Sequence, residues 1–240
     1  MSTKIKLVEY EDDGQILEAY HAYPEASTSP LKTILICHAW SGRSEFECVK
    51  ARSLAELGYA AFAIDVYGKG ILGQNPQQNQ TLMQPFVEDR SMLRRRLKKA
   101  LTAVKEMDHI DKSRVAAIGY CFGGLCVLDM ARADEEVQGV VSFHGLLDGV
   151  PGAKPTPISA KILALHGWND PMVPPATVEA FGSEMNSAGA DWQLHAFGGV
   201  YHAFTKPGAN DPDGLGVLYD ADADERSWQM MQHFLKEILV

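Results

Sequence analysis

Five short apolar runs dominate the chain: TILICHA (Thr33–Ala39), YAAFAID (Tyr59–Asp65), RVAAIGY (Arg114–Tyr120), VQGVVSFHG (Val137–Gly145) and AKILALHG (Ala160–Gly167). Each lies near glycine or a polar turn residue. Each reads as a strand buried on both faces, which is the pattern of a parallel sheet. DWQLHAF (Asp191–Phe197) is a further, alternating strand. Helical patterns fall between them. Leu93, Leu97, Leu101 and Val104 share one helix face, within a helix expected from about Phe86 to Met107. Val178, Phe181 and Met185 share another, with Pro174 and Pro175 before it and Gly189 after it, the usual start and stop residues. Trp228, Met231, Leu235 and Ile238 form the stripe of a C-terminal helix. KIKLVEY and QILEAYHAY near the start read as an added antiparallel pair. The expectation is an α/β fold in one domain over 1–240, with a mostly parallel central sheet flanked by helices on both faces. Ligands in such sheets sit beyond the carboxyl ends of the strands. Attention therefore falls on His38–Ser41, Asp65, Cys121, His144, Asp170 and the loop after Phe197.

Composition narrows the function classes. With 240 residues, 46% of them hydrophobic, the chain can bury a full core. A net charge of −9 argues against a nucleic-acid partner. The one dense basic run, LRRRLKK (Leu93–Lys99), reads as a solvated helix face. The polar first residues and the lack of a long apolar window point to no membrane association and a cytoplasmic location. Cys37, Cys48, Cys121 and Cys126 form no C-x-x-C pair and show no metal-ligand spacing, which suits a reducing compartment. His38, His144 and His166 stand at strand ends but lack the close spacing of a zinc signature, so no metal is expected.

The chemistry concentrates in VAAIGYCFGGLCVLDMA (Val115–Ala131). A strand runs into Gly119-Tyr120-Cys121-Phe122-Gly123, and a helical pattern follows at once. With serine at its centre this would be the G-x-S-x-G nucleophile elbow of an α/β-hydrolase. The glycines permit a sharp turn, and the helix N-terminus favours a thiolate at Cys121. A nucleophilic thiol needs a base, and the base needs an orienting acid. In these hydrolases the chain order is nucleophile, acid, histidine. LHGWNDPMVP supplies Asp170 just after a strand, and GGVYHAF supplies His202 in a glycine-opened loop. Cys121, His202 and Asp170 are thus the expected triad, recognised by role rather than by spacing. The oxyanion hole is expected from the N–H of Phe122 and an N–H of the HAWSG loop, Trp40 first and Ala39 second. His144 is expected to line the pocket.

GYCFGG, HGWNDPMVP and YHAF together resemble the dienelactone hydrolase family of α/β-hydrolases, as does GYAAFAIDVYGKG between two core strands. The resemblance runs from about Leu31 to the end of the chain. It implies an α/β-hydrolase fold and a Cys-His-Asp hydrolase with no metal and no organic cofactor. It also exposes departures. The family carries a glutamate that engages the resting thiol, and that place falls on Ala39. An arginine four residues past the catalytic histidine is replaced by Lys206, which keeps the charge but loses the bidentate fork. Arg90 is the candidate for a second carboxylate-binding arginine.

A cysteine ionises near pH 8.5 (about that value in free peptides), far below a serine hydroxyl, and it is also a good leaving group. The expected substrates are therefore small activated esters or lactones, those releasing enols or phenols, with aryl phosphotriesters as a side reaction. Two other readings use the same residues: an acyltransferase with the same triad, and a non-catalytic module that binds a small ligand. The expected partner is a small molecule, and the expected state is a monomer or small homo-oligomer.

Overall fold

A computed structural model describes residues 2–26, 30–211 and 214–240. In chain order the elements are β1 (Thr3–Asp12), β2 (Gln15–Pro24), β3 (Leu31–Cys37), α1 (Glu45–Glu56), β4 (Ala60–Ala63), α2 (Pro76–Glu88), α3 (Arg90–Lys105), β5 (Ile110–Tyr120), α4 (Phe122–Arg132), β6 (Gly139–Phe143), β7 (Lys161–Gly167), α5 (Pro175–Ser187), β8 (Trp192–Phe197) and α6 (Ala221–Ile238). The strands form one eight-stranded sheet in the order β1-β2-β4-β3-β5-β6-β7-β8. β1 and β2 pair antiparallel, β2 meets β4 antiparallel, and every pairing from β4 to β8 is parallel. This is the α/β-hydrolase architecture expected from the strand and helix alternation.

Strand alternation splits the core in two. Leu35, Phe62, Ala117, Val140 and Ile162 face the layer that contains α3, α4 and α5. Their neighbours Ile34, Ala61, Ile118, Val141 and Leu163 face α1 and α6. A strand with both faces covered has no polar side, which explains the continuous apolar runs.

Local signals set the helix ends. Ser44 caps α1 in a reciprocal capping box with Glu47. Asn75 caps α2, whose first residue is Pro76. The Asp89 carboxylate accepts the N–H groups of Ser91 and Met92 and so starts α3 at Arg90. The helix expected from about Phe86 therefore begins later, and Phe86 belongs to the end of α2. Asp89, at once the C-cap of α2 and the N-cap of α3, separates what the leucine spacing alone runs together.

The basic run is also only partly solvated. Arg96 is buried, and it binds Asp12 at 2.9 Å and the Val66 carbonyl at 2.7 Å. Arg95 and Lys98 face solvent, as expected for a solvated face. The α3 face turned to β1 thus carries a buried ion pair, tying the added antiparallel pair to the rest of the sheet.

Candidate active site

The carboxyl ends of β3, β5, β6 and β7 converge on one cavity of about 240 Å³. Its lining includes Ala39, Trp40, Cys121, His144, His202 and Lys206, all singled out from the sequence. Phe122 is fully buried, and Asp170 lies behind His202. A larger, more open groove of about 900 Å³ runs between β8 and α6 and contains none of these residues.

Cys121 occupies the turn between β5 and α4 with φ 57° and ψ −117°. A non-glycine residue in that region is strained, and surrounding contacts must hold it there. Its N–H donates to the Phe143 carbonyl at 3.0 Å. The flanking glycines make the turn possible by close approach. A Cβ on Gly119 would lie 1.9 Å from the Gly123 carbonyl oxygen, and one on Gly123 would lie 2.1 Å from that of Cys37. No side chain fits either gap.

The two N–H groups expected for an oxyanion hole both act on the Cys121 sulfur, from Phe122 and from Trp40. The Trp40 donor, rather than Ala39, is the one that reaches it. Burial pushes the Cys121 thiol up, but His202 and these two N–H groups outweigh burial and hold it below the usual thiol range.

Asp170 follows β7 and is almost fully buried. Its Oδ1 accepts from Met172 N–H at 2.8 Å, and its Oδ2 accepts from His202 Nδ1 at 2.7 Å. The first bond is an Asx-turn before the helix, so Asp170 serves the turn and the histidine at once. The His202 backbone is pinned on both sides: its N–H donates to Gly216, and its carbonyl accepts from Leu218. With Nδ1 engaged by Asp170, Nε2 is buried without a hydrogen bond of ordinary geometry among the described residues. Burial depresses its basicity, but the neighbouring Cys121 and Asp170 charges overcome this and raise His202 well above the usual imidazole range. The two shifts run in opposite directions, and each group is among the causes of the other's.

His144 follows β6 and adopts φ 38°. Its Nε2 meets Thr205 Oγ1 at 2.8 Å. Burial and the neighbouring His202 push it well below the usual imidazole range, so it is a neutral wall of the cavity. Lys206 lies at the exposed side of the cavity. Arg90 is elsewhere. It is buried and grips Asp129 through Nε and Nη2, each at 2.6 Å, so it is not a substrate-binding arginine. That assignment from the sequence is corrected: the pair ties α3 to α4.

Among the lining residues that the sequence did not single out, one is an acid. Glu47 is 1% exposed and lines the cavity from α1. The S-x-x-E spacing of Ser44 and Glu47 marks it as a helix-capping acid, and a helix cap has no reason to be read as part of a site.

The lowered Cys121 thiol makes a prediction about reactivity. Iodoacetamide is expected to label Cys121 ahead of Cys37, Cys48 and Cys126, and to do so below the pH where an ordinary thiol ionises. Burial raises Cys48 and Cys126, the reverse of Cys121. His202→Ala removes the cation, leaves only the Phe122 and Trp40 N–H groups to oppose burial, and should move the Cys121 labelling profile to higher pH. Peptide mapping of the alkylated protein across pH checks this. Equal labelling of the four cysteines would contradict it.

Comparison with known proteins agrees with this architecture. Residues 17–239 match the profile of the dienelactone hydrolase family. An uncharacterised protein of Caenorhabditis elegans is 38% identical over 147 residues, covering 60% of this chain and 93% of its own. The solved structure of P91, a dienelactone hydrolase-like promiscuous phosphotriesterase from metagenomic libraries, superposes with a TM-score of 0.93 at 31% identity and covers both chains fully. The structure of m3DLH does so with a TM-score of 0.93 at 30% identity, also over both full chains. The chain belongs to the dienelactone hydrolase family and is an ester-bond hydrolase of the α/β-hydrolase fold.

Proposed function

We propose that this hydrolase cleaves small activated esters or lactones through a covalent thioester on Cys121, with His202 as the acid–base group and Asp170 as its orienter. The observation that carries the reading is the elbow sulfur itself. It shares the cavity with an imidazole whose far nitrogen is held at 2.7 Å by a buried carboxylate, and the N–H groups of Phe122 and Trp40 help to hold its thiol below the usual range.

The steps follow from these contacts. The Cys121 thiolate attacks the substrate carbonyl carbon, and the C=O electron pair moves onto oxygen. The N–H groups of Phe122 and Trp40 receive that oxyanion, a role typically worth two to three powers of ten in rate for a single donor (about 10²–10³-fold). Collapse restores the carbonyl and breaks the ester C–O bond. His202 Nε2 gives its proton to the departing oxygen, leaving the acyl group on sulfur. Water then attacks the thioester as His202 takes back a proton. The second collapse expels the thiolate and releases the acid.

Asp170 stays charged throughout and keeps Nδ1–H directed at itself, so that Nε2 is the nitrogen that exchanges protons. A cavity of about 240 Å³ suits a small acyl group. Lys206 offers one cation at its exposed side in place of the family arginine, so a substrate carboxylate would be met by a point charge rather than a fork.

Trapping tests the covalent step. Acid quenching during turnover of p-nitrophenyl acetate should give a protein heavier by one acetyl group, mapped to Cys121. A protein that turns over with no such adduct under rapid quenching, and whose Cys121→Ala variant remains active, rules the route out. A second reading rests on the resemblance to P91. The thiolate would attack phosphorus of an aryl phosphotriester and expel phenolate, as a side reaction of the same site.

A further inference from the structure

The Trp40 N–H, which lowers the Cys121 thiol, belongs to a peptide whose carbonyl is held in place, and the N–H of the peptide before it is held as well. The first of these peptides joins the Ala39 carbonyl to the Trp40 N–H, and a trans peptide is rigid and planar. Fixing the direction of its carbonyl fixes the opposite direction of its N–H.

His38 holds the carbonyl. The ring is fully buried. The Val66 N–H donates to its Nε2 at 3.1 Å, so the ring proton sits on Nδ1, which donates to the Ala39 carbonyl at 2.7 Å. The Gly42 N–H adds a second bond to that carbonyl at 3.2 Å. Glu47 holds the other side of Ala39. Its Oε1 accepts the Ala39 N–H at 3.2 Å, while Oε2 accepts Ser44 N–H at 2.8 Å and Ser44 Oγ–H at 2.7 Å. The groups acting on the sulfur are His202 and the N–H groups of Phe122 and Trp40, so His38 and Glu47 work one step behind them. The family acid is missing at Ala39, and the carboxylate supplied from α1 binds the backbone of that same residue.

We propose that His38, which holds the Ala39–Trp40 peptide by its carbonyl, and Glu47, which holds the preceding peptide by the Ala39 N–H, are positioning residues that clamp this loop and aim the Trp40 N–H at the oxyanion formed on a substrate attacked by Cys121. The inference rests on the reading of Cys121 as nucleophile. Glu47 has a second duty as the capping partner of α1, and the cap fixes its carboxylate beside the loop. His38 is one of three strand-end histidines, with His144 and His166, that lie outside the triad.

Two pairs of variants separate aim from charge and from folding. Glu47→Asp keeps the charge but is one methylene too short to span from Ser44 to Ala39. Glu47→Gln loses the charge but keeps the reach and one acceptor. His38→Phe keeps a ring without donors, and His38→Asn restores a donor near the Nδ1 position.

Each variant is assayed for p-nitrophenyl acetate hydrolysis and for alkylation by iodoacetamide at a pH where the thiol is fully ionised. Alkylation builds no oxyanion and needs no Trp40 N–H. Glu47→Asp and His38→Phe are expected to lose kcat by about 10²-fold with little change in KM, the scale of a misaligned oxyanion donor. Glu47→Gln and His38→Asn should recover most of that loss. Alkylation should stay near the wild-type rate in all four.

Wild-type kcat in Glu47→Asp and His38→Phe overturns the clamp, and so does alkylation that falls in step with hydrolysis. If shortening Glu47 unfolds the start of α1, the His38 pair decides alone. Cys121→Ala is run beside them. Hydrolysis retained there removes the nucleophile and this inference with it. An inactive Cys121→Ala beside unaffected clamp variants removes the clamp only.

Discussion

Cys121→Ala is expected to lower kcat/KM for p-nitrophenyl acetate by three powers of ten or more (at least about 10³-fold), since loss of a triad member typically costs orders of magnitude. Without the sulfur no thioester forms, and water has no comparable nucleophile at the elbow. His202→Ala should fall nearly as far. The thiolate would then be buried with no cation beside it, and the leaving oxygen would depart unprotonated. Because the two act as a unit, the double variant Cys121→Ala/His202→Ala should be no slower than Cys121→Ala alone. Asp170→Asn should lose less. An amide can still occupy the Asx-turn that receives the Met172 N–H at 2.8 Å, but it no longer favours the imidazolium. Steady-state kinetics on variants with unchanged circular dichroism and melting temperature check this series. A Cys121→Ala protein that keeps more than a tenth of wild-type activity would sink the assignment, against the typical loss of several powers of ten.

The reason such variants can be named at all lies in what the sequence exposes. The elbow is legible because its demands are local. Gly119 is required by the Gly123 backbone within the same turn, although Gly123 itself is required by the approach of Cys37 from β3, and the strand before and helix after the elbow show their own periodicities. Asp170 and His202 are legible through chain order and strand ends, since a parallel sheet collects those ends on one side. The sheet order, in which β4 lies between β2 and β3, was not written in any single segment.

What stayed hidden depends on contacts between distant parts of the chain. Arg96 looks like one of a row of solvated cations until β1 brings Asp12 to it, 84 residues away in sequence. Arg90 looks free until Asp129 grips it across 39 residues. Glu47 was hidden differently. Its local role as a cap is complete in itself, and its bond to Ala39 becomes visible only when the β3 end folds back over α1. The boundary between α2 and α3 was missed because side-chain spacing carries through it, whereas the caps that break it are polar and short.

The nature of the nucleophile sets the second large effect, a steep dependence on the leaving group. The tetrahedral adduct on Cys121 can expel either the thiolate or the oxygen of the substrate's alcohol. The thiolate is the easier group to expel, because His202 and the N–H groups of Phe122 and Trp40 hold the Cys121 thiol below the usual thiol range. A well-stabilised thiolate is a good leaving group, so an ethyl ester, whose alkoxide is far more basic, reverts to the starting complex. A phenolate or enolate competes well. His202 narrows the gap by protonating the departing oxygen, but general acid catalysis is typically worth only about 10²–10⁴-fold. For one acyl group, kcat/KM should therefore fall steeply from p-nitrophenyl to phenyl to ethyl esters. Cys121→Ser should be slower overall yet show a shallower slope, because a serine alkoxide is as poor a leaving group as the alcohols it displaces. The same argument places enol lactones among the good substrates, since their ring oxygen leaves as an enolate. Measuring the series under conditions where acylation limits the rate decides the matter: equal rates for ethyl and p-nitrophenyl esters would mean that the adduct does not partition through sulfur, and that the elbow cysteine is not chosen for the chemistry described.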